Sequence, residues 1–431
     1  MEYNIPKGVF DILPFSLDDQ SEWKVADRWQ YLESVIRKAC LDYGFQEIRT
    51  PIFEKTELFI RSSGETSDIV SKEMYTFEDK GERSMTLRPE GTASVMRSVL
   101  ENKLYSLSPN LKLFYIGPIF RYDRPQAGRY RQHHQFGVEA IGCEKPEQDV
   151  EVIEFLCEIY KKLGLKNLQV QINSIGDLSS RSRFNTALKE FLSQHSERLS
   201  KDSQLRLHKN PLRILDSKDP EDQKILKGAP SILDYLDDES KLHFQRVLSL
   251  LEKIEIPYVI NPLLVRGLDY YNRTVFEVTS TDLGAQNTIG AGGRYDDLST
   301  SLGGHRLPSV GFATGIERVL QTMIRQGCSF PSPKTPDLYI LPLGNDAVDY
   351  CFKLTSELRK KGIPTEMDFS SKKIQQGLSI ASKLQAKFCL IVGDQEIASG
   401  TAVLKNMNTR EQIPIELANC LFDFETLRQK S

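Results

Sequence analysis

LKLFYIGPIFRYDRPQAGRYRQHHQFGVEAI, residues 111–141, decides the fold. Leu111 to Phe120 is one run of strand formers and Phe136 to Ile141 is another, so the stretch reads as a long hairpin. About fourteen polar residues, RYDRPQAGRYRQHH, separate the two runs. A loop of that length is functional or disordered rather than a simple turn. It sets Arg121, Arg124, Arg129 and Arg131 against a single acid, Asp123. The guanidinium fork grips oxyanions in pairs of hydrogen bonds, so four of them suit phosphate. Tyr122, Tyr130, His133 and His134 stand among them, and aromatic faces beside cations suit stacked bases. The plain alternative is a solvated, charged loop.

Helix and strand signals alternate on both sides of this hairpin. Between Glu22 and Gly44, the residues Trp29, Leu32, Val35, Ile36, Ala39 and Cys40 recur at three- and four-residue steps, giving one apolar helix face with Gly44 as its stop. QEIRTPIF then reads as a strand carrying Phe45, Ile48 and Ile52, with Pro51 forcing an edge or a bulge. Val150 to Leu163 is a helix with Val152, Ile153, Leu156, Ile159, Tyr160 and Leu163 inward, and Leu168 to Ile175 is a strand. Residues from about 180 to 250 are charged and helix-prone, and strand signals return at YVINPLLV, RTVFEVTS and NTIGAGG. This pattern predicts an α+β domain, residues 1–325, whose mainly antiparallel sheet is flanked by helices and interrupted by a helical insertion over 180–250. FPSPKTPD marks a linker over 326–336. Beyond it, strand and helix signals alternate as a small α/β domain, 337–431, with helices expected over Ala347–Lys361 and Lys373–Leu384.

Composition narrows the function. With 56 Lys and Arg against 59 Asp and Glu, the net charge is −3, which excludes a uniformly basic nucleic-acid binder but not a local basic site. The smaller domain likewise balances 13 basic against 12 acidic residues from Lys334 onward. Seven scattered cysteines, with no Cys-x-x-Cys pair and no zinc spacing, point to reduced thiols and a cytoplasmic protein. The N-terminal MEYNIPKGVFDILP has neither a basic nor an apolar signal region, and no run approaches the roughly 18 apolar residues of a membrane span. There is no P-loop, no zincin helix, no nucleophile elbow and no kinase signature set. GAGGRYDDL, Gly290 to Leu298, lacks the third glycine of a dinucleotide fingerprint.

Two more arginines have telling positions. Arg266, in LLVRGLDYYNRTVFEV, follows an apolar run, so it must be paired or face a cleft. An ion pair with Asp269 is its structural alternative. Arg318 follows the glycine-rich SVGFATG at the start of a helix, where Gly311 and Gly315 allow close approach to a phosphate. Glu90 in TLRPEGTASV and Glu139 in FGVEAIG are inward carboxylates that can accept from an amine or a protonated ring nitrogen, or serve as halves of core ion pairs.

Taken in chain order, these segments resemble the histidyl-tRNA synthetases, a class II aminoacyl-tRNA synthetase family. PKGVFDILP and YGFQEIRTPIFE resemble the region of motif 1, which builds the family's dimer interface, and TLRPEGT follows. FRYDRPQAGRYRQHHQFGVEAIG resembles motif 2, LVRGLDYYNRTVFE and GAGGRYDDL the two histidine-specific signatures, and VGFATGIERVL motif 3. The tail resembles an anticodon-binding domain. The resemblance covers nearly the whole chain, less clearly over 180–250. It implies a homodimeric ligase that joins histidine to ATP, with Mg2+, and passes it to the terminal adenosine of tRNA(His). Arg121 resembles the arginine on the α-phosphate, Arg318 that on the γ-phosphate side, and Arg266 the family's own arginine at the α-phosphate. These three are the expected catalytic residues, and Arg121 and Arg266 also border the amino acid. Glu90 and Thr92, with Gly91 between them, and Gln135 resemble the holders of the α-amino group. Glu139 and Tyr271, with Tyr270 alongside, resemble the readers of the imidazole. Arg129 and His133 resemble ATP contacts, His133 standing where many members carry a stacking Phe. Arg124 and Gln126 resemble loop residues facing the tRNA acceptor end.

The resemblance also orders the rivals. Regulatory paralogues that bind histidine without charging tRNA usually lack the C-terminal domain and intact histidine signatures, both of which this chain has. A pure tRNA-binding module has no use for a full set of phosphate-binding arginines. A synthetase for proline or threonine is opposed only by the pocket residues.

Overall fold

A computed structural model describes residues 3–19, 21–64, 67–123, 128–283, 287–370 and 373–429. The chain divides into two compact units, Met1–Phe330 and Pro331–Ser431.

The first unit is built on a sheet of eight strands among the described residues. In chain order its strands are β1 (Gln46–Glu47), β5 (Leu111–Phe120), β6 (Gln132–Ile141), β7 (Leu168–Ser174), β8 (Tyr258–Ile260), β9 (Asn272–Ser280), β10 (Thr288–Arg294) and β11 (Ser309–Gly315). A small separate sheet takes β2 (Phe53–Lys55), β3 (Tyr75–Glu78) and β4 (Ser84–Leu87). Spatially the large sheet runs β1-β5-β6-β11-β10-β9-β7-β8. Only the edge pairs β1–β5 and β7–β8 are parallel.

One face of the sheet is dry. Phe136, Val138 and Ala140 alternate along β6 toward helices α1 (Ala26–Asp42) and α4 (Pro146–Lys162), forming a core that also takes Phe276, Val310 and Phe312. Helix α4 follows simple rules. Pro146 opens it, Glu147 and Asp149 lie in its first turn, Lys161 and Lys162 in its last, and Gly164 follows at φ +79°. Its Val152, Ile153, Leu156, Ile159 and Tyr160 are all buried, each aliphatic side chain contributing about 1.5–3 kcal/mol relative to exposure. The other face carries Leu113, Tyr115 and Val275 and is covered by α3 (Thr92–Glu101) and by α5 (Leu178–Ser193), α6 (Lys201–Lys209) and α7 (Pro220–Leu226). The charged stretch is therefore helical as expected, yet it splits. Helix α8 (Asp238–Lys253) instead joins the dry face through Phe244, Val247 and Leu251. The short α9 (Leu298–Ser301) and then α10 (Ile316–Arg325) complete the unit.

Three local readings are corrected. QEIRTPIF is not one strand: Pro51 separates β1 from β2, which belong to different sheets, and Ile52 is exposed. The returning strand of the hairpin starts at Gln132, so the polar residues from Gln132 to His134 are already paired in the ladder and the loop spans 121–131. YVINPLLV forms a strand only over Tyr258–Ile260, and the chain from 261 to 271 has no regular structure.

The second unit has the spatial order β13-β12-β14-β15-β16 for strands β12 (Leu338–Leu343), β13 (Thr365–Met367), β14 (Phe388–Gly393), β15 (Thr401–Asn406) and β16 (Gln412–Glu416). Helix α11 (Asn345–Lys360) packs Ala347, Cys351, Leu354 and Leu358 against Leu338, Ile340 and Leu390. Helices α12 (Ile374–Lys383), α13 (Asp394–Ser399) and α14 (Cys420–Gln429) follow. Helix α13 and strand β16 lie outside the pattern read from sequence. All seven cysteines are free thiols, and burial pushes those of Cys40, Cys351 and Cys389 up to about 12. Among the described residues no helix is long and apolar enough to cross a membrane.

Candidate active site

Two cavities join on the polar face of the sheet. The inner one, about 140 Å³, is walled by Glu90, Thr92, Arg266, Tyr270, Tyr271 and Tyr295. The outer one, about 300 Å³, is walled by Arg129, His133, Thr288, Glu317 and Arg318. Arg121 and Gln135 line both.

The inner cavity is made possible by glycine. Gly137 on β6 pairs with Tyr115 on β5, and a Cβ there would land on the Tyr115 ring. Gly311 on β11 pairs with Glu139, and a Cβ there would meet both the Glu139 carboxylate and the Tyr295 hydroxyl. Large polar side chains thus occupy the space that strand neighbours normally fill.

Glu139 is buried beneath this cavity. One oxygen accepts from Thr92 Oγ1 at 2.7 Å and the other from the Tyr295 hydroxyl. Burial raises its carboxyl to about 8, only partly opposed by those two donors. Glu90 is also buried and sits at the start of α3, accepting from the backbone N–H of Thr92 at 2.6 Å and of Ala93 at 2.9 Å. It satisfies two helix-terminal donors that would otherwise be orphaned, while burial raises its carboxyl too. The rings of Tyr270, Tyr271 and Tyr295 cluster, with Tyr270 and Tyr271 centroids 4.7 Å apart.

Arg266 reaches this cluster with its guanidinium 5.9 Å from the centre of the Tyr271 ring. Its acid is Glu277, not the sequence neighbour Asp269. The second Glu277 oxygen accepts from Thr288 Oγ1 at 2.8 Å, so one carboxylate ties the inner wall to the outer. In the outer cavity Arg318 donates to the Thr288 carbonyl at 2.6 Å and to that of Gly128 at 3.2 Å. Arg121 donates through Nε to the Pro89 carbonyl at 2.7 Å, and Arg129 pairs with Asp123 at 3.1 Å. Burial and then the Arg121 charge push His133 down to about 3, so its imidazole is neutral at physiological pH. Glu317 holds its neighbour His134, accepting from the backbone N–H at 2.7 Å and facing Nδ1 at 3.0 Å.

The chain that builds this pocket of buried carboxyl and phenol groups, opening into an arginine-walled one, matches two family models. The model described as histidyl-tRNA synthetase covers residues 23–319, and that of an anticodon binding domain covers 337–422. This chain belongs to the histidyl-tRNA synthetase family. It is 58% identical over 94% of its length to a histidine–tRNA ligase of Protochlamydia amoebophila, covering 96% of that protein. It is 48% identical over 99% of its length to that of Halothermothrix orenii, covering all of it. Among solved structures, the apo histidyl-tRNA synthetase of S. aureus superposes with a TM-score of 0.81 at 40% identity, over 98% of this chain and 100% of that one.

Within this synthetase fold the residues singled out from sequence fall into the two cavities. Glu90, Thr92, Gln135, Arg266, Tyr270 and Tyr271 line the inner one, with Glu139 behind Thr92 and Gly91 at the N-terminus of α3. Arg121, Arg129, His133 and Arg318 line the outer one. Arg124 and Gln126 lie outside the described residues. Sequence reasoning missed Tyr295, Tyr115 and Glu277 as parts of the site. Tyr295 stood inside the quoted GAGGRYDDL signature. Tyr115 could be found only from its pairing opposite a glycine, which requires the strand register.

Proposed function

We propose that the inner cavity takes histidine, the outer one takes ATP, and the chain is a ligase that charges tRNA(His). The observation that carries this reading is the junction. Arg121 and Gln135 belong to both walls, so a carboxylate in the first cavity meets a phosphate in the second beside a guanidinium. Glu90 receives the α-ammonium group, with Thr92 and Gln135 beside it. Glu139 and Tyr271 take the two imidazole nitrogens, which need partners once buried. A site so built leaves polar groups unpaired around Leu or Phe, and such sites reject analogues by about 10⁴–10⁵ without editing.

The first step sets an anion against an anion. The histidine carboxylate attacks the α-phosphorus, the bond to the bridging oxygen breaks, and pyrophosphate leaves. Arg121 and Arg266 neutralise charge at the α-phosphate while Arg318 and Arg129 hold the outer phosphates. Guanidinium groups fixed in advance stabilise such charge without proton transfer. Among the described residues no three His, Cys, Asp or Glu side chains converge as a metal cage. Magnesium would enter with the phosphates of ATP, where Glu73, Asp123 and Glu317 line the cavity, and would supply further charge neutralisation. His133, neutral and half-buried, offers its ring to adenine. In the second step a ribose hydroxyl of the terminal adenosine attacks the acyl carbon and AMP departs. Arg124 and Gln126 are assigned to contacts with that acceptor end by the family resemblance alone.

Residues 1–325 form the catalytic domain with its 180–250 insertion, 326–336 the linker and 337–431 the anticodon-binding domain. The protein works in the cytoplasm as a homodimer, and sedimentation of only a monomer at micromolar concentration opposes the latter. The deciding experiment is ATP–pyrophosphate exchange with each of the twenty amino acids, without tRNA. Exchange with histidine alone supports the reading. Exchange with another amino acid overturns the roles of Glu139 and Tyr271, and none at all from folded protein favours a regulatory paralogue.

A further inference from the structure

Residues 261–271 form an irregular segment between β8 and β9, and they deliver Arg266, Leu268, Tyr270 and Tyr271 to the inner cavity. A segment outside any ladder must find donors for its carbonyls elsewhere. At its start, Asn173 on β7 donates to the carbonyls of Pro262 and Leu264 at 3.3 and 3.0 Å. At the functional end, the donors come from the insertion. Arg213 donates to the Gly267 carbonyl, and Arg181 on α5 donates to that of Asp269 at 3.2 Å. The Asp269 carboxylate lies 3.8 Å from the Arg213 guanidinium and accepts from Asn210 Nδ2 at 3.4 Å. Arg213 itself stands on a firm base. The following residues Ile214 and Leu215 are buried, and its own carbonyl accepts from Arg206 at 3.4 Å.

We infer that Arg213 is a positioning residue for histidine activation: through Gly267 and Asp269 it fixes the backbone that aims Arg266 and Tyr271. The insertion is then part of the active-site machinery, because its arginines hold the signature loop from outside. Arg213 sits at the root of this clamp since it grips two points of the loop, on either side of Leu268. The inference rests on the inner cavity being the histidine site.

The test is histidine-dependent ATP–pyrophosphate exchange by full-length Arg213→Met, Arg213→Lys, Asp269→Asn, the 213/269 double variant and Glu139→Gln. Methionine keeps the aliphatic stem and removes the donors. Arg213→Met is expected to lower kcat/KM for histidine by ten- to hundredfold, on the order expected for a lost charge-assisted bond to a backbone acceptor. The KM for ATP should stay within about twofold, and the thermal midpoint should hold. Arg213→Lys should recover part of the loss. The Asp269→Asn loss should not add to that of Arg213→Met, since Arg213→Met already removes the contact with Asp269. Wild-type exchange by Arg213→Met overturns the inference, as does a loss spread equally over histidine and ATP that tracks a fall in thermal midpoint. Should Arg213→Met fail to fold, Arg213→Lys and Asp269→Asn decide by the same split between substrates. If Glu139→Gln leaves exchange unchanged, it is the histidine-site reading that fails. If it impairs exchange while the Arg213 variants do not, only the clamp fails.

Discussion

On the proposed reading of the inner cavity as the histidine site, the buried carboxyl of Glu139 makes binding depend on pH in a way that can be worked out. In the empty pocket it titrates at about 8, so at pH 7 it is about nine-tenths protonated. Free imidazole titrates near 6.5 and at pH 7 is mostly neutral. A protonated Glu139 facing neutral imidazole and a carboxylate facing imidazolium contain the same single proton. Between about 6.5 and about 8, binding therefore neither takes up nor releases much proton. Above that window the carboxyl has lost its proton and the complex must recover one, so affinity falls about tenfold per pH unit, or ~1.4 kcal/mol. Below it, protein and ligand each carry a proton and one must leave. Titration calorimetry in buffers of different ionisation enthalpy should show uptake of about 0.9 proton attributable to Glu139 at pH 9, and release of about 0.9 at pH 5.5. The α-amino group of histidine also titrates in alkali, so the contribution is read as the difference from Glu139→Gln, which cannot titrate. Identical proton counts in the two proteins at pH 9 would refute the reasoning.

Three further outcomes follow from the same geometry. Arg266→Ala should lower kcat for adenylation far more than it raises KM for histidine, as pre-steady-state exchange can resolve; the reverse split would mean a binding role only. Gly137→Ala drives a methyl into the Tyr115 ring and should cost about 1–3 kcal/mol in urea unfolding while weakening histidine binding, and an unaffected protein would mean that the ring is free to move. Arg294→Met breaks a buried pair with Asp149 and should cost about 3–5 kcal/mol. Burial alone would raise Asp149, but Arg294 and His243 outweigh it and hold the carboxyl at about 2. The native protein therefore keeps this stability above pH 4 and loses it as pH falls toward 2, whereas the variant should unfold at higher pH in an acid titration.

How much of this was legible depends on the range of the forces involved. Helix α4 was readable because its caps, charges and apolar stripe all lie within its own residues. The hairpin of β5 and β6 was readable because two apolar runs flank a polar loop. Its true start at Gln132 was not, since His133 and His134 owe their strand pairing to Ile119 and Pro118 across the ladder rather than to their own propensity. The break at Pro51 was foreseen as a disturbance, yet not as a change of sheet, because nothing local says which partner β2 will find. The acid that Arg266 meets was hidden for the same reason. Asp269 is nearer in sequence, but the strand turn carries Glu277 back to Arg266 and leaves Asp269 facing the insertion. The arginines of the site were conspicuous as charges in odd places, whereas Tyr115 resembled an ordinary core aromatic until register put Gly137 opposite it, and Tyr295 until its hydroxyl was found beside Gly311.

Register also explains why a fully buried ion network lies behind the site. Arg294 and Tyr295 are consecutive, so their side chains leave opposite faces of the sheet. Tyr295 reaches Glu139 on the polar face. Arg294 reaches Asp149 and Asp296, and Asp149 also takes His243 at 2.7 Å and Thr274 at 2.7 Å. A slip of one residue would bring the guanidinium into the inner cavity and the phenol into the ion network. Glycine-rich β10 has few side chains of its own to prevent such a slip, since Gly290, Ala291, Gly292 and Gly293 present almost nothing to pack. The charged network supplies the missing specification, because an Arg294 misplaced by one position would leave Asp149 buried with its main cation gone. A strand kept bare beside the inner cavity is thus held in register from its far side.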